Sequence, residues 1–235
     1  MIEAKNVSKR FVRKRGESNF FFPVREVSLK LEPGELTALY GASGSGKSTL
    51  LNMLAGILAP TEGTVLMEGE SLYDKNDESL SLFRNENIGV LPQVQSAISS
   101  MTVLENILLP LEFASGNEKK QSGFRKEAEN RALQLLEQVG MKDLAAVMPR
   151  ELSGGELKRM AIVRSLIRDP KVILADEPTA DLDEKNTVLI LGLLKEIAKS
   201  GKAVMIVTHD KEVLGFADQI YDMKDGCLRR RPEES

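Results

Sequence analysis

The sequence has 235 residues, 42% hydrophobic and 29% charged, which is an ordinary globular composition and excludes collagen-like, wholly disordered and disulfide-scaffold classes. Its 32 basic and 35 acidic residues leave a formal charge of -3, which argues against a nucleic-acid backbone as the main partner, since that needs a cationic field; a local basic patch stays open, and nucleic acid is not expected as a partner. Cys227 is the single cysteine; it forms no internal disulfide and no zinc cluster, which suits a reducing cytosol.

The opening MIEAKNVSKRF carries neither an apolar signal core nor a small-residue cleavage site, so secretion is not expected. No run approaches the ~20 apolar residues of a membrane span; the richest, Val188 to Leu194, is interrupted by Gly192. A cytoplasmic chain is expected. Docking on an integral membrane partner stays open.

In chain order, short β-prone runs alternate with helical ones, the pattern of an α/β domain with a largely parallel sheet. Ala4 to Phe11 and Val24 to Leu31 read as antiparallel strands, Pro33-Gly34 as a turn, and Leu36 to Tyr40 as an apolar strand. A glycine-rich loop leads into a helix through Leu50, Leu51, Met53 and Leu54, and Pro60-Thr61-Glu62-Gly63 turns the chain into strands Thr64 to Met67 and Ile88 to Leu91. From Gln93 to about Arg159 the β signal disappears. There Ala132, Leu135, Leu136 and Val139 form one face of an amphipathic helix over Phe124 to Gly140, and Ser115 to Gly123 reads as a surface loop. Val172 to Ala175 and Ala203 to Val207 are buried-type strands around a helix over Asn186 to Lys199, and the charged tail from Arg229 is expected to fray.

Gly41-Ala42-Ser43-Gly44-Ser45-Gly46-Lys47-Ser48 matches G-x-x-x-x-G-K-[ST] between a strand and a helix. Glycines remove the Cβ atoms that would block the backbone, so the N–H groups of Ser43 to Thr49 can turn inward around phosphate oxygens at a helix N-terminus. Lys47 supplies a full charge to the β- and γ-phosphates, and Ser48 offers a hydroxyl to Mg²⁺. This loop specifies a nucleoside triphosphate and no particular reaction.

Strand Val172 to Ala175 runs into Asp176 and Glu177, and ligands of parallel sheets bind beyond the carboxyl ends of strands. Asp176 is placed for the Mg²⁺ shell. Glu177 would face the γ-phosphate and orient the attacking water, since a loose phosphoryl-transfer transition state rewards positioning over early proton removal. Leu152-Ser153-Gly154-Gly155-Glu156 then opens a helix through Arg168, halted by Asp169-Pro170. Its N-terminus is a second anion site, which one phosphate cannot fill while wrapped by the first unless the site is shared between two chains.

At these residues the chain resembles the ATP-binding subunit of ABC transporters, over nearly its whole length and with the motifs in the family's order. The resemblance implies a P-loop NTPase (RecA-like) α/β core with an antiparallel β subdomain and a helical signature subdomain. It implies a single domain over residues 1–235, of which 1–92 and 160–235 are the ATP-binding core and 93–159 the helical part. LSGGE looks like the signature, whose Ser153, Gly154 and Gly155, followed by Glu156, would meet the γ-phosphate held by the opposite subunit. Asp181-Leu182-Asp183 resembles the D-loop between the two sites, which puts Asp183 among the expected nucleotide contacts. His209 resembles the switch histidine, and Gln93 the Q-loop glutamine that reaches Mg²⁺ and the water. Phe11 is similar to the aromatic that stacks on adenine, with Phe20, Phe21 and Phe22 as competitors. Three departures stand out: Glu156 in place of glutamine, Pro92 in place of an aromatic, and Ala180-Asp181 at the D-loop's opening. Glu156 must point away from the triphosphate or pair with a cation such as Lys158 or Arg159.

The resemblance implies ATP hydrolysis with ATP and Mg²⁺, a second ATP-binding subunit (a copy or a paralogue), and integral membrane permease subunits contacting Gln93 to Glu105 on the cytoplasmic face of the membrane. Asn6-Val7-Ser8, the run Met101 to Pro110, and Ile173 to Thr179 look most like the branch serving lipoprotein release, macrolide export, antimicrobial-peptide resistance and the cell-division complex. That branch implies export; the alternative is a non-transport complex transmitting force to a cell-wall hydrolase system. A DNA-repair or chromosome-organising ATPase would need coiled coils or zinc modules, and neither heptads nor cysteine clusters lie between Gln93 and Ser153.

Overall fold

The computed structural model describes residues 1–12, 20–93, 97–114 and 123–232. β1 (Ile2–Val12) and β2 (Phe20–Leu31) pair antiparallel, extending beyond the runs expected from sequence. β3 (Leu36–Tyr40) follows a turn in which Gly34 takes φ 90°, and α1 (Lys47–Leu54) leaves the glycine-rich loop. β4 (Glu62–Met67), β5 (Glu70–Ser71), α2 (Asp77–Asn87) and β6 (Ile88–Leu91) follow. Next come α3 (Val103–Leu108), α4 (Phe124–Gln138), α5 (Gly154–Leu166), β7 (Val172–Asp176), α6 (Glu184–Lys199), β8 (Ala203–Thr208), β9 (Gln219–Lys224) and β10 (Cys227–Arg230).

The tail corrects one expectation. At Arg229 and Arg230 it does not fray: residues 227–230 pair antiparallel with β9, and Arg231 closes the hairpin with two 2.7 Å bonds to the Asp222 carboxylate, while 233–235 lie outside the described residues. The stretch 115–122, most of the expected surface loop, lies outside the described residues. The signature helix stops at Leu166, short of Arg168, because Asp169 in the left-handed region and Pro170 close it.

A four-stranded antiparallel sheet has the order β2-β1-β4-β5, and a six-stranded sheet the order β10-β9-β3-β8-β7-β6, parallel except for β10. The inner strands of the larger sheet are buried on both faces, which explains their unbroken apolar sequences. Leu39, Leu174, Met205 and Val207 join one core with Leu50, Leu51, Met53 and Leu54 of α1 and the inner face of the small sheet. Leu36, Ala38, Ile173, Val204 and Ile206 face the other way, onto Ile190, Leu191 and Leu194 of α6 and Ile162 of α5. A third core joins α3, α4 and α5 through Val103, Ile107, Ala132, Leu136, Met160 and Val163.

This topology assembles the site. Strands β3, β8, β7 and β6 are parallel neighbours with register pairs Tyr40–Thr208, Asp176–Val207 and Leu91–Ala175. Their carboxyl ends therefore deliver the glycine loop, His209, the Asp176-Glu177 pair and Gln93 to one edge of the sheet, where ligands bind in this architecture.

Candidate functional site

The loop between β3 and α1 is built around two glycines that no other residue replaces easily. Gly46, the residue before α1, has φ 109°, and a Cβ there would run into the Pro23 carbonyl. Gly44 has φ 79° with open space around it. Lys47 Nζ donates to the carbonyls of Gly41 at 2.8 Å and Ala42 at 3.0 Å, so the cation is held over the loop. A cleft of about 490 Å³ is lined by Ala42, Ser43, Gly44, Gly46, Lys47, Ser48 and Thr49 on one side, by Gln93, Glu177 and His209 on another, and by Phe21 and Pro23.

Asp176 lies beneath the loop. Burial pushes its carboxyl above the usual range, against the Ser48 hydroxyl bonded to its side chain, while Glu177 adds to the rise and Lys47 opposes it. Its Oδ1 is buried with no hydrogen-bond partner among the described residues. A hydroxyl beside a desolvated carboxylate with one oxygen unsatisfied is an oxygen-only donor set, which fits a hard divalent cation.

Glu177 is 8% exposed and sits at φ 48°, a left-handed backbone that turns its side chain from the strand direction into the cleft. Oε1 meets His209 Nδ1 at 2.8 Å, and Oε2 accepts from Thr208 Oγ1 at 3.2 Å. Both carboxylate oxygens are thereby fixed. Thr208 was not singled out by sequence; its signal is its place as the last residue of β8, directly before His209. The same hydroxyl accepts from the Asp210 N–H at 2.9 Å, so it also shapes the turn after the histidine.

Other expected residues lie elsewhere. Phe11 does not line the cleft: its ring stacks on Phe21, centroids 5.5 Å apart, and Phe21 faces the cleft. Ser153, Gly154, Gly155 and Glu156 also lie outside the cleft's lining. Ser153 and Gly154 are exposed at the N-terminus of α5, in a capping box where the Glu156 carboxylate accepts from the Ser153 N–H at 2.8 Å and hydroxyl at 2.7 Å. Those bonds hold the Glu156 carboxyl below its usual range, with a weaker pull from Arg159. Glu156 thus turns to its own cap, and Lys158 turns inward to the Glu177 carbonyl. Asp183 caps α6 by accepting from the Asn186 N–H at 2.8 Å and is likewise absent from the cleft. Asn106, fully buried, ties the 98–102 turn after Gln93 to α3 by bonding Ile98, Met101 and Thr102. Among the described residues no helix is long and apolar enough to cross a membrane.

Comparison with known proteins identifies the family and the fold. The family described as ABC transporter matches residues 24–180. The lipoprotein-releasing system ATP-binding protein LolD of Aquifex aeolicus is 39% identical over 86% of this chain and 88% of its own. The macrolide export ATP-binding/permease protein MacB of Chlorobaculum tepidum is 38% identical over 97% of this chain, which spans 33% of that relative. The cassette MJ0796 of Methanocaldococcus jannaschii is 38% identical over 98% of this chain and 96% of its own. Its dimeric structure superposes with a TM-score of 0.88 over 100% of both chains at 38% identity, and a dimeric post-hydrolysis structure bound to ADP and Pi with 0.87 over 100% of both at 37%. Glycine loop, strand-end acids and whole-chain likeness converge: the chain belongs to the ABC transporter family and is one of its ATP-hydrolysing cassettes.

Proposed function

We propose that two ATP-binding chains, two copies of this one or this one and a paralogue, pair head to tail around two MgATP, and that closing and reopening of the pair drives separate membrane permease subunits. One observation carries the reading: Lys47, Ser48, Gln93, Glu177 and His209 line a single cleft, whereas the exposed Ser153-Gly154 helix end lies outside it. A helix N-terminus facing away from its own chain's cleft suits the nucleotide of another chain. The dimeric MJ0796 structures support the pairing.

In this reading the N–H groups of Ser43 to Thr49 and the Lys47 ammonium hold the phosphates, with Gly41 giving the backbone room. Ser48, Asp176 and Gln93 would hold Mg²⁺, which when bound would neutralise charge developing on the triphosphate. Glu177 orients the attacking water and His209 contacts the γ-phosphate. Phe21, backed by Phe11, offers the adenine a flat face. ATP favours the closed pair because Ser153, Gly154 and Gly155 meet the opposite γ-phosphate only there, and a population shift requires that differential contact. Hydrolysis removes it.

The permease contact is placed over Gln93 to Glu105 and the adjoining groove, where Ile57, Leu82 and Phe113 are 55%, 36% and 65% exposed. A groove of exposed apolar residues fits a partner helix, and Asn106 gives the 98–102 turn a fixed shape. Docking there puts the chain on the cytoplasmic face of the membrane. Relatives named for lipoprotein release and macrolide export favour export. The test is Glu177→Gln in the full chain: MgATP is expected to produce dimers that persist without turnover, measured by size exclusion with light scattering. A monomer with an unchanged ATPase rate would overturn the clamp.

A further inference from the structure

Lys158 is a buried amine outside the lining of the cleft. It lies in the second turn of α5, is 8% exposed, and its Nζ donates to the main-chain oxygen of Glu177 at 3.5 Å. Burial pushes its ammonium below the ordinary lysine range, opposed by the negative charges of Asp181 and Glu177. A buried cation is seldom the most stable choice for a packed position; an apolar residue of like volume serves stability as well or better. The segment it grips is strained, with Glu177 at φ 48° and Asp181 at φ 63°, both left-handed.

The same helix touches that segment again at its N-terminus. A Cβ at Gly155 would collide with the Asn186 side-chain amide, and one at Gly154 would meet Leu182. Asn186 is fixed in turn by the Asp183 carboxylate, which accepts from its N–H and its Nδ2. α5 therefore holds the 177–186 segment at two points, through Lys158 at Glu177 and through its glycines at Leu182 and Asn186.

We propose that Lys158 is a positioning residue for hydrolysis: its ammonium ties the Glu177 main chain to the helix that begins with Ser153-Gly154-Gly155, so the direction of the Glu177 carboxylate follows where that helix sits. The proposal rests on the reading of Ser153 to Gly155 as the element that meets the opposite chain's nucleotide. Its consequence is communication between sites: contact made at Ser153 is felt at Glu177 of the same chain, and each chain tunes its own hydrolysis to the nucleotide held by its partner.

The test is Lys158→Met in the full chain, with steady-state ATPase kinetics and thermal melting. The expected result is a kcat lowered about tenfold or more, KM for MgATP within about twofold, and a melting temperature equal to or above wild type. Lys158→Arg is expected to recover part of kcat, and Ser153→Ala combined with Lys158→Met to be less harmful than the product of the single effects. A kcat within about twofold of wild type overturns the proposal. So does a loss of rate that tracks a loss of melting temperature, with arginine no better than methionine, because that is a purely structural role. Should the methionine variant fail to fold, Lys158→Gln carries the same kcat-against-KM reading. Glu177→Gln run alongside reports on the clamp itself: absence of ATP-dependent dimers sinks the clamp, whereas the fate of Lys158 is read from the kcat-to-KM split.

Discussion

Nδ1 of His209 lies 2.8 Å from Oε1 of Glu177, a contact between the ends of neighbouring parallel strands, since Asp176 and Val207 are register partners. The two side chains differ sharply in exposure, 66% for His209 and 10% for Glu177. The carboxylate is an interior group held in a fixed direction, and the imidazole is the part of the pair that reaches open space. Because Nδ1 meets the carboxylate, Nε2 is the nitrogen left to face the cleft, where it would donate to a phosphate oxygen only as the doubly protonated ring, since a neutral imidazole has a single N–H.

Removing the imidazole is expected to cost more than removing the hydroxyl on the other oxygen. His209→Ala should lower kcat about 10²-fold, the usual loss for one charge-stabilising donor. Thr208→Val keeps the Oε1 contact and should lower kcat about tenfold, with a stability loss of about 1 kcal/mol from the unsatisfied Asp210 N–H. Single-turnover hydrolysis and denaturant melts measure both. A His209→Ala chain with wild-type kcat would leave the histidine without a chemical role.

Asp176 illustrates stability given up for function. Its folded carboxyl is raised above the ordinary value, chiefly by burial, so the folded state binds its proton more tightly than the unfolded chain. Stability from this group is therefore highest below the unfolded carboxylate pKa of about 3.9 and falls as pH rises towards the folded value. Asp176→Asn removes that penalty. The variant is expected to melt above wild type at pH 7 without nucleotide, the gap closing below about pH 4, while Mg²⁺-dependent hydrolysis drops at least ~10²-fold. A variant that melts lower at pH 7 would contradict the desolvation account.

What could be read from sequence depended on how local the determinant is. β3 and β6 were legible to the residue because their apolar runs are buried and end in turn residues, and the glycine loop because its chemistry is contiguous. β9 was missed because QIYDMK buries only Met223, and α2 because Leu80 is its single buried residue, leaving no stripe to detect. Within the site, strand register decides that Phe21 lines the cleft with Phe11 behind it. The inward turn of Lys158 depends on how α5 packs against the 177–181 segment. Neither is encoded in a window of neighbouring residues.

The two left-handed glycines of the phosphate loop should separate conformational cost from steric cost. Gly44→Ala has space for its methyl and pays only for φ 79°, about 1–2 kcal/mol. Gly46→Ala has the same kind of backbone and also drives its Cβ into the Pro23 carbonyl, so a loss beyond about 3 kcal/mol is expected, together with loss of ATP binding as the loop shifts. Urea titration and nucleotide calorimetry on the pair check this. Equal costs at the two positions would mean that the loop relaxes away from Pro23 freely.

The remaining prediction concerns Glu156, which stands where the resemblance leads one to expect glutamine. Its carboxylate is the acceptor for the Ser153 hydroxyl, and a hydroxyl has one hydrogen to give. For Ser153 to donate to the opposite γ-phosphate, the box must open, and a carboxylate then stands near a polyanion. Glu156→Gln keeps a capping-box acceptor while deleting the charge. In a Glu177→Gln background it is expected to tighten the ATP-dependent dimer about fivefold at low salt, the size of an exposed charge term of about 1 kcal/mol. The gain should shrink as salt is raised, because exposed charges are screened within about 10 Å at 0.1 M. Sedimentation equilibrium across a salt series makes the measurement. A tightening that persists unchanged at high salt would point to altered hydrogen bonding at Ser153, and a weakening would show that the carboxylate itself assists closure.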